Sequence, residues 1–489
     1  MRSPGWLLLL ITGCGGLERP PHEVFRVETE TLLQEDSRPT NPTAPWPRFE
    51  PGERVESVVS PGGQFRIHFS RSGLNAVAAA DTDDNGVPDA VDFVARTYDA
   101  VAAFYTQEGF RLPPPDSGGG DERFDVYLVD FAGRADGAFR AEGCLEPNQG
   151  CHGYMLQEND FAGYSYASYA QAVSTLASHE FFHAVQAAYR TGLGRVADEG
   201  TAVWASEHFA PELDDLEHFS RAYLSSPDRS LVVDPDGPAQ TFSYGAALFF
   251  QFLGERLGDE VMRGMLEESL RSPSARWAEL LDTVLRRDEA TDFDAMFSEF
   301  AEWNLATGAR SREGAGYAGG AGYTGLVLTA KALPVDEASL RVAAASTRYF
   351  EVPGGTEPVT ASFEPREGAA SEVSHLLVAA VNAHEVLRVV RAQGSGTLSA
   401  QVSDPRATHV VVAVVNGRRT GGGQYGRLRI GPETPSEEPP EPAARGCQTA
   451  PGVLSAALLL VIAALLRRPR PVRASARRRS PGRRGPSRR

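Results

Sequence analysis

Thiols are scarce in this chain. It has four cysteines in 489 residues. Two of them, Cys14 and Cys447, lie in the terminal segments, which leaves Cys144 and Cys151 in "AEGCLEPNQGCHGY" and no second pair of thiols to complete a zinc site with them. In an exported chain, such a pair across a Pro, Asn and Gly loop reads as a disulfide pinning that loop. Basic charge is missing from the body as well. The formal net charge is -16, and eleven arginines without one acid sit in residues 467–489, leaving -27 for the rest. So acidic a body argues against nucleic acid as a partner, since that binding rests on Lys and Arg neutralising phosphates. No repeat at a fixed period occurs, which excludes a solenoid. No apolar run reaches the ~20 residues that span a bilayer comfortably. What is present is a chain with 42% hydrophobic residues, long enough to bury one or two substantial cores.

Both ends carry targeting patterns that are set aside before the fold is read. "MRSPGWLLLLITGC" has one arginine, a short apolar run and Ile11-Thr12-Gly13-Cys14, which resembles the lipobox of bacterial lipoprotein signal peptides and makes Cys14 the lipidated residue. The other reading is an ordinary secretory signal; either way the chain is exported. The far end, "RGCQTAPGVLSAALLLVIAALLRRPRPVR", has a Gly-Cys pair, an apolar segment from Pro451 to Leu466 and an arginine cluster. Flanking arginines can snorkel to close a small deficit in span length, and positive charge stays inside. The arrangement resembles the myxobacterial C-terminal sorting signal, MYXO-CTERM, which implies Gly446-Cys447 as the processing point and places the mature protein at the cell surface. The plain alternative is a retained membrane anchor.

Between these ends, composition divides the chain. Residues 15–60 are rich in Pro, Glu and Arg and read as a linker or pro-segment. Residues 61–310 mix strand-like runs ("QFRIHF", "RFDVYLVDF", "GYMLQ") with helical patterns, the longest over 89–107, 170–189, 199–209 and 244–257. Residues 314–432 lose the helical pattern and read as an all-β, sandwich-like domain. Its glycine-rich turns lack a following P-loop lysine and offer no site. A Pro/Glu-rich linker over 433–446 precedes the sorting segment at 447–489.

The chemistry concentrates in "LASHEFFHAVQAAY" at 176–189. On a helix, His179 and His183 sit one turn apart on one face, so both imidazoles can reach one metal ion. Glu180 lies beside that face, where its carboxylate can take a proton from a metal-bound water. The bland alternative is a core helix with two buried histidines, and the motif alone is a hypothesis. A catalytic zinc needs a third protein ligand and one open position. The metzincin spacing would need Gly at 186 and His at 189, where this chain has Gln186 and Tyr189. "VADEGTAVWASEHF" offers Glu199, with Glu207 as competitor. "EGTAVW" resembles the Glu-Gly-x-Ala segment that carries the third ligand in aminopeptidase N-type gluzincins, although the interval from His183 is a few residues shorter, so "RTGLGR" must turn tightly. Glu199 is favoured because Gly200 permits close helix approach; Glu207 fits a supporting role or a surface ion pair.

The ordered set "DTDDNGVPDAVDFV", "FDVYLVDF", "NDF", "HEFFHAVQ", "EGTAVWASE" and "SYGAALFFQFL" resembles exported bacterial metalloproteases common in myxobacteria, over roughly residues 64–260. That resemblance implies an α+β zincin-like fold, a twisted sheet packed on the active-site helix, with "CHGYMLQ" as the sheet edge along the cleft. It also puts Tyr244 where aminopeptidase N-like gluzincins keep an oxyanion donor, against the alternative of a tyrosine packed at a helix start. His208 and His218 could supply that donor instead, and His152 reads as loop decoration.

"DTDDNGVPDAVD" places oxygens at Asp81, Asp83, Asn85, Asp89 and Asp92, with Gly86 at the sharp turn and the Val87 carbonyl available, as a 12-residue calcium loop does. Asp92 stands where an EF-hand has Glu. The alternative is an Asx-rich turn capping the helix from Asp89. The combined expectation is a surface-anchored zinc metalloendopeptidase with a structural calcium, acting on protein or peptide substrates. The Gly-x-Met-Glu-Asn amine-binding motif of aminopeptidases is missing. The competing expectation is a catalytically inactive, metal-stabilised surface protein that binds or adheres.

Overall fold

The run "RFDVYLVDF" carries apolar side chains on both faces of an extended chain, the pattern of a strand covered on two sides, and it forms the middle of the first sheet. The computed structural model describes residues 37–115, 118–235, 241–366 and 373–432. In chain order its first part comprises β1 (Val55–Val59), β2 (Phe65–Ser70), α1 (Asp89–Gln107), β3 (Phe124–Val129), β4 (Gly137–Glu146), β5 (Gln149–Glu158), α2 (Tyr169–Tyr189), α3 (Arg195–Phe209), α4 (Asp215–Leu224), α5 (Thr241–Gly245), α6 (Ala247–Leu257), α7 (Glu260–Arg271), α8 (Trp277–Asp288) and α9 (Phe293–Trp303). The sheet runs β1-β2-β3-β5-β4. β2, β3 and β5 are parallel, and β1 and β4 are antiparallel to their neighbours.

Strand alternation sorts β3 between two cores. Val126 and Leu128 join the large core under α1 and α2, while Tyr127 and Val129 join a smaller one with Phe49, Phe131, Tyr154 and Leu156. Residues 37–60, expected within a linker or pro-segment, are therefore part of the fold. β1 lies in the sheet, and the chain before it crosses the sheet's outer face. Arg38 fixes that crossing: its guanidinium is buried, pairs with Asp125 and Glu142, and donates to the Tyr127 hydroxyl at 3.0 Å.

"CHGYMLQ", the edge expected from the resemblance, is part of the inner strand β5. A two-residue turn at Pro147-Asn148 folds β4 back outside β5, so β4 is the edge. Cys144 and Cys151 face each other across this hairpin and form a disulfide. His152 accordingly belongs to a strand, and the disulfide pins a hairpin rather than a loop.

The β-rich region comprises β6 (Thr329–Ala330), β7 (Val335–Val342), β8 (Ser346–Pro353), β9 (Val359–Pro365), β10 (Ser374–Val381), β11 (Val386–Gly394), β12 (Leu398–Val402), β13 (His409–Asn416) and β14 (Gln424–Pro432). They form two sheets, β11-β10-β13-β8-β6 and β12-β9-β14-β7, closed on a core that includes Leu376, Val412, Phe363 and Ile430. The region does not stand apart from the helices. Leu377, Ala379, Val411 and Ala413 point from β10 and β13 into the same core as α6 and α9, which is why both strands are apolar on both faces. The Tyr349 hydroxyl donates to the Ala301 carbonyl at 2.7 Å across that seam.

Among the described residues, no helix is long and apolar enough to cross a membrane. Cys14, Gly446, Cys447 and the apolar segment 451–466 lie outside the described residues.

Candidate metal centre

α2 starts at a Ser168 cap, whose hydroxyl accepts from the Gln171 amide at 3.1 Å. It then runs buried through the middle of the molecule with His179, Glu180 and His183 on its length. One donor atom from each of these three lies within 4.8 Å of the other two, a group able to hold a metal ion. The short connection at 190–194 uses positive φ at Gly192 and Gly194, conformations open to glycine, and returns the chain as α3. Glu199 is thereby brought against both imidazoles, with its Oε2 at 3.4 Å from His179 Nε2 and 3.5 Å from His183 Nε2. A Cβ on Gly200 would stand 2.7 Å from the Phe250 ring and 3.3 Å from the Ala247 nitrogen, so the missing side chain is what lets α3 approach α6.

These three atoms fit a metal. All three are buried and make no hydrogen bond of normal geometry, a costly arrangement unless something binds there. Atoms held about 2.0–2.1 Å from a tetrahedral zinc are about 3.3–3.4 Å apart, close to the distances seen. Without an ion the site is a charged cluster. Burial alone would push the Glu199 carboxyl up, but the two imidazoles against it outweigh burial and hold it well below its usual range. Burial likewise opposes charge on His183, and the Glu199 carboxylate overrides it, pushing the imidazole up to about 10.

Gln186 sets the orientation of His183. Its Oε1 lies 2.8 Å from His183 Nδ1, and its amide nitrogen donates to the Asp198 carbonyl at 2.7 Å and the Thr201 hydroxyl at 2.8 Å. The residue that excludes a metzincin spacing thus ties the metal helix to the helix of Glu199; its place one turn beyond His183 was the available signal. Glu180 is held from the sheet side, where Oε2 accepts from the Phe139 amide of the edge strand β4 at 3.1 Å.

Tyr244 packs against the group, its ring stacked at 5.6 Å on His179 and at 4.8 Å on Phe219. Burial raises its phenol well above the ordinary value, and the charges of Glu199, Glu180 and Asp136 add to this, so it is a proton donor at neutral pH. The other candidates lie elsewhere. His208 stacks on Trp204 and faces Asp259 at 3.4 Å and Glu108 at 3.8 Å. His218 is exposed beside Phe219. Among the described residues Glu207 makes no surface ion pair: it is buried against the start of α4, accepting from the Leu216 amide at 3.4 Å, and burial, reinforced by Glu217, pushes its carboxyl up to about 8.

The acidic loop before α1 also closes on itself. Asp81, Asp83 and Asp89 bring carboxylate oxygens within 4.8 Å of one another. The Asp81 carboxylate accepts from the Asn85 and Gly86 amides at 3.1 and 2.9 Å, and Gly86 turns at φ 88°. The Val87 amide donates to the Asn85 side chain at 2.7 Å, and the Asn85 amide group donates to Asp92 at 2.7 Å. Asp89 accepts from the Thr82 amide at 3.0 Å.

No protein-family model matches the chain, and no curated protein matches it. Two solved structures share a limited likeness. One is the pre-peptidase C-terminal domain of a collagenase from Bacillus anthracis, at 11% identity over 21% of this chain and 94% of that one, with a TM-score of 0.17. The other is PliG from Aeromonas hydrophila, a periplasmic inhibitor of g-type lysozyme, at 13% identity over 22% of this chain and 97% of that one, with a TM-score of 0.16. At those scores neither establishes a shared fold.

Proposed function

We propose that the chain is a zinc-dependent endopeptidase with a zincin-like catalytic region, exported and anchored at the cell surface. The observation that carries this reading is the set of three buried, unsatisfied donor atoms on His179, His183 and Glu199 at 3.4–3.5 Å, with Glu180 beside them. Zinc held there supplies Lewis acidity, polarising the scissile carbonyl and making an attacking water more acidic. Glu180 accepts the proton of that water and passes it to the leaving amine. Its bond from the Phe139 amide fixes one carboxylate oxygen and leaves the other for the proton. Tyr244, kept protonated by burial and by the carboxylates around it, donates to the developing oxyanion. The edge strand β4, last in the strand order of its sheet, offers a strand against which an extended peptide could pair. The loop of Asp81, Asp83, Asn85, Val87, Asp89 and Asp92 binds a structural calcium.

The test uses the segment from residue 15 to 432, as parent and as Glu180→Gln, with zinc content and casein hydrolysis measured on both. A single zinc per chain in each, with hydrolysis falling by about 10²–10⁴-fold in the variant, is the expected result. Zinc in both and hydrolysis in neither, over many peptides, would replace the enzyme with a metal-stabilised binding protein. Absence of zinc from both would leave α2 as a core helix.

A further inference from the structure

Gly137 and Phe139 stand two residues apart at the start of the edge strand β4, so both face the same side of the sheet. That side carries α2, where Leu176 and Glu180 are four residues apart and share a helix face. Two contacts therefore join the strand to the helix in parallel. In one, the Phe139 amide donates to Glu180 Oε2 at 3.1 Å in the interior. In the other, the bare Cα of Gly137 lies against Leu176. A Cβ at residue 137 would stand 2.7 Å from Leu176 Cδ1, 2.9 Å from Cδ2 and 3.1 Å from the Leu156 carbonyl oxygen. Packed carbon atoms need about 3.5–4.0 Å, so even a methyl asks for roughly 1 Å more than this spacing provides.

The part that yields is the strand. Leu176 is 4% exposed and packed in the core, and the Leu156 carbonyl belongs to β5, the inner neighbour of β4. As the last strand of its sheet, β4 is held by a strand on one side alone. Moving it away from α2 lengthens the Phe139 contact with Glu180 beyond hydrogen-bond range, since such a bond at 3.1 Å has little distance to spare. Gly137 does not adopt the left-handed backbone of the turn glycines, so it is side-chain size that excludes other residues here.

From this geometry we infer that Gly137 is a positioning residue for the hydrolysis, its contact with Leu176 setting the distance at which the Phe139 amide holds the Glu180 carboxylate. The inference rests on the peptidase reading. A substrate paired with β4 travels with that strand, so a displaced β4 carries the scissile bond away from Glu180 while keeping its hold on the peptide. The loss then falls on kcat and leaves KM little changed.

The test uses zinc-loaded full-length protein purified in detergent, as parent, Gly137→Ala, Leu176→Phe and the double variant Gly137→Ala with Leu176→Ala. Leu176→Phe enlarges the same contact from the helix side and serves should Gly137→Ala fail to fold. On a quenched peptide from casein, Gly137→Ala is expected to keep its zinc and its KM and to lose about 10–100-fold in kcat. The double variant removes both Leu176 methyls that the new Cβ meets, and should recover most of that loss. A merely destabilised core would be worsened by this second truncation. A further readout needs no turnover. In protein isotopically labelled on phenylalanine nitrogen, the Phe139 amide is identified by its absence from Phe139→Leu, and its proton shift and exchange rate report the bond to Glu180. Glu180→Ala removes the acceptor and defines the unbonded values. Gly137→Ala should move to those values, and the double variant should return. A Phe139 amide in Gly137→Ala that matches the parent, or a kcat that Leu176→Ala does not restore, overturns the inference. If the parent cleaves no peptide, the peptidase reading fails, and the amide still decides whether Gly137 sets the contact.

Discussion

His183 and Gln186, one turn apart on α2, are joined between Nδ1 and Oε1 at 2.8 Å, and this contact decides which ring nitrogen faces the metal group. The Gln186 amide nitrogen is committed to Asp198 and Thr201, so its oxygen faces the ring. An amide oxygen only accepts. His183 must therefore carry a proton on Nδ1, and in the neutral ring that binds a metal this leaves Nε2 as the bare nitrogen. Gln186→Leu removes this orientation and is expected to weaken zinc binding about 10–100-fold. Competition against a chromophoric chelator measures the loss, with far-ultraviolet dichroism to establish that the fold persists. Unchanged affinity would mean that packing alone orients the ring.

Gly200 makes a second prediction about the same group. A methyl added there meets the Phe250 ring at 2.7 Å and the Ala247 backbone at 3.3 Å, and the backbone cannot move aside as a side-chain end could. Gly200→Ala is expected to cost about 1–3 kcal/mol by overpacking and, by shifting Glu199, to weaken zinc binding. Calorimetry on the zinc-free and zinc-loaded forms separates the two effects. An unaltered melting temperature would show that α3 and α6 have room to separate.

What was legible in the sequence was what repeats locally. Two histidines and a glutamate at helical spacing mark one face of one helix, and the Glu-Gly pair marks where a second helix can come close. The elements missed depend on distant contacts. Arg38 meets Asp125 and Glu142 across 87 and 104 residues, so nothing near "SRPTNP" distinguishes it from a linker. Whether β4 or β5 forms the sheet edge follows from strand order, not from the composition of either strand. Asp136 and Asp215 are turn or helix-start aspartates by sequence, and only the fold sets them on one small cavity with His179, Glu180 and Tyr244. The uninterrupted apolar runs of β10 and β13 did carry a signal: strands buried on both faces imply a layer on each side, and the second layer is helical.

The acidic loop predicts a response to calcium. A site in the 10⁻⁴ M class would gain about 1.4 kcal/mol of stability at 1 mM calcium, visible as a rise of a few degrees in melting temperature. Asp81→Ala should abolish that rise, because Asp81 both joins the carboxylate group and accepts from the Asn85 and Gly86 amides. A calcium-independent melting temperature in the parent would leave the loop as a helix-capping turn.

Glu158 gives the pH dependence. It is 2% exposed and accepts from the Phe131 amide at 2.8 Å and the Tyr164 hydroxyl at 3.0 Å. Burial pushes its carboxyl from an ordinary 4.5 up to about 7, against the opposing effect of those two bonds. Between these two values the folded chain keeps a proton that the unfolded chain has released. The folded state then binds more protons, so unfolding free energy falls as pH rises through that window and levels off above it. Glu158→Gln keeps an acceptor for both donors and cannot ionise. Its stability relative to the parent should therefore be lowest near pH 4.5 and rise by about 2–3 kcal/mol toward pH 8. Urea denaturation of both proteins at pH 4.5, 6 and 8 measures the gap, and a constant difference would mean that Glu158 is solvated in the folded state and that its burial does not control its proton.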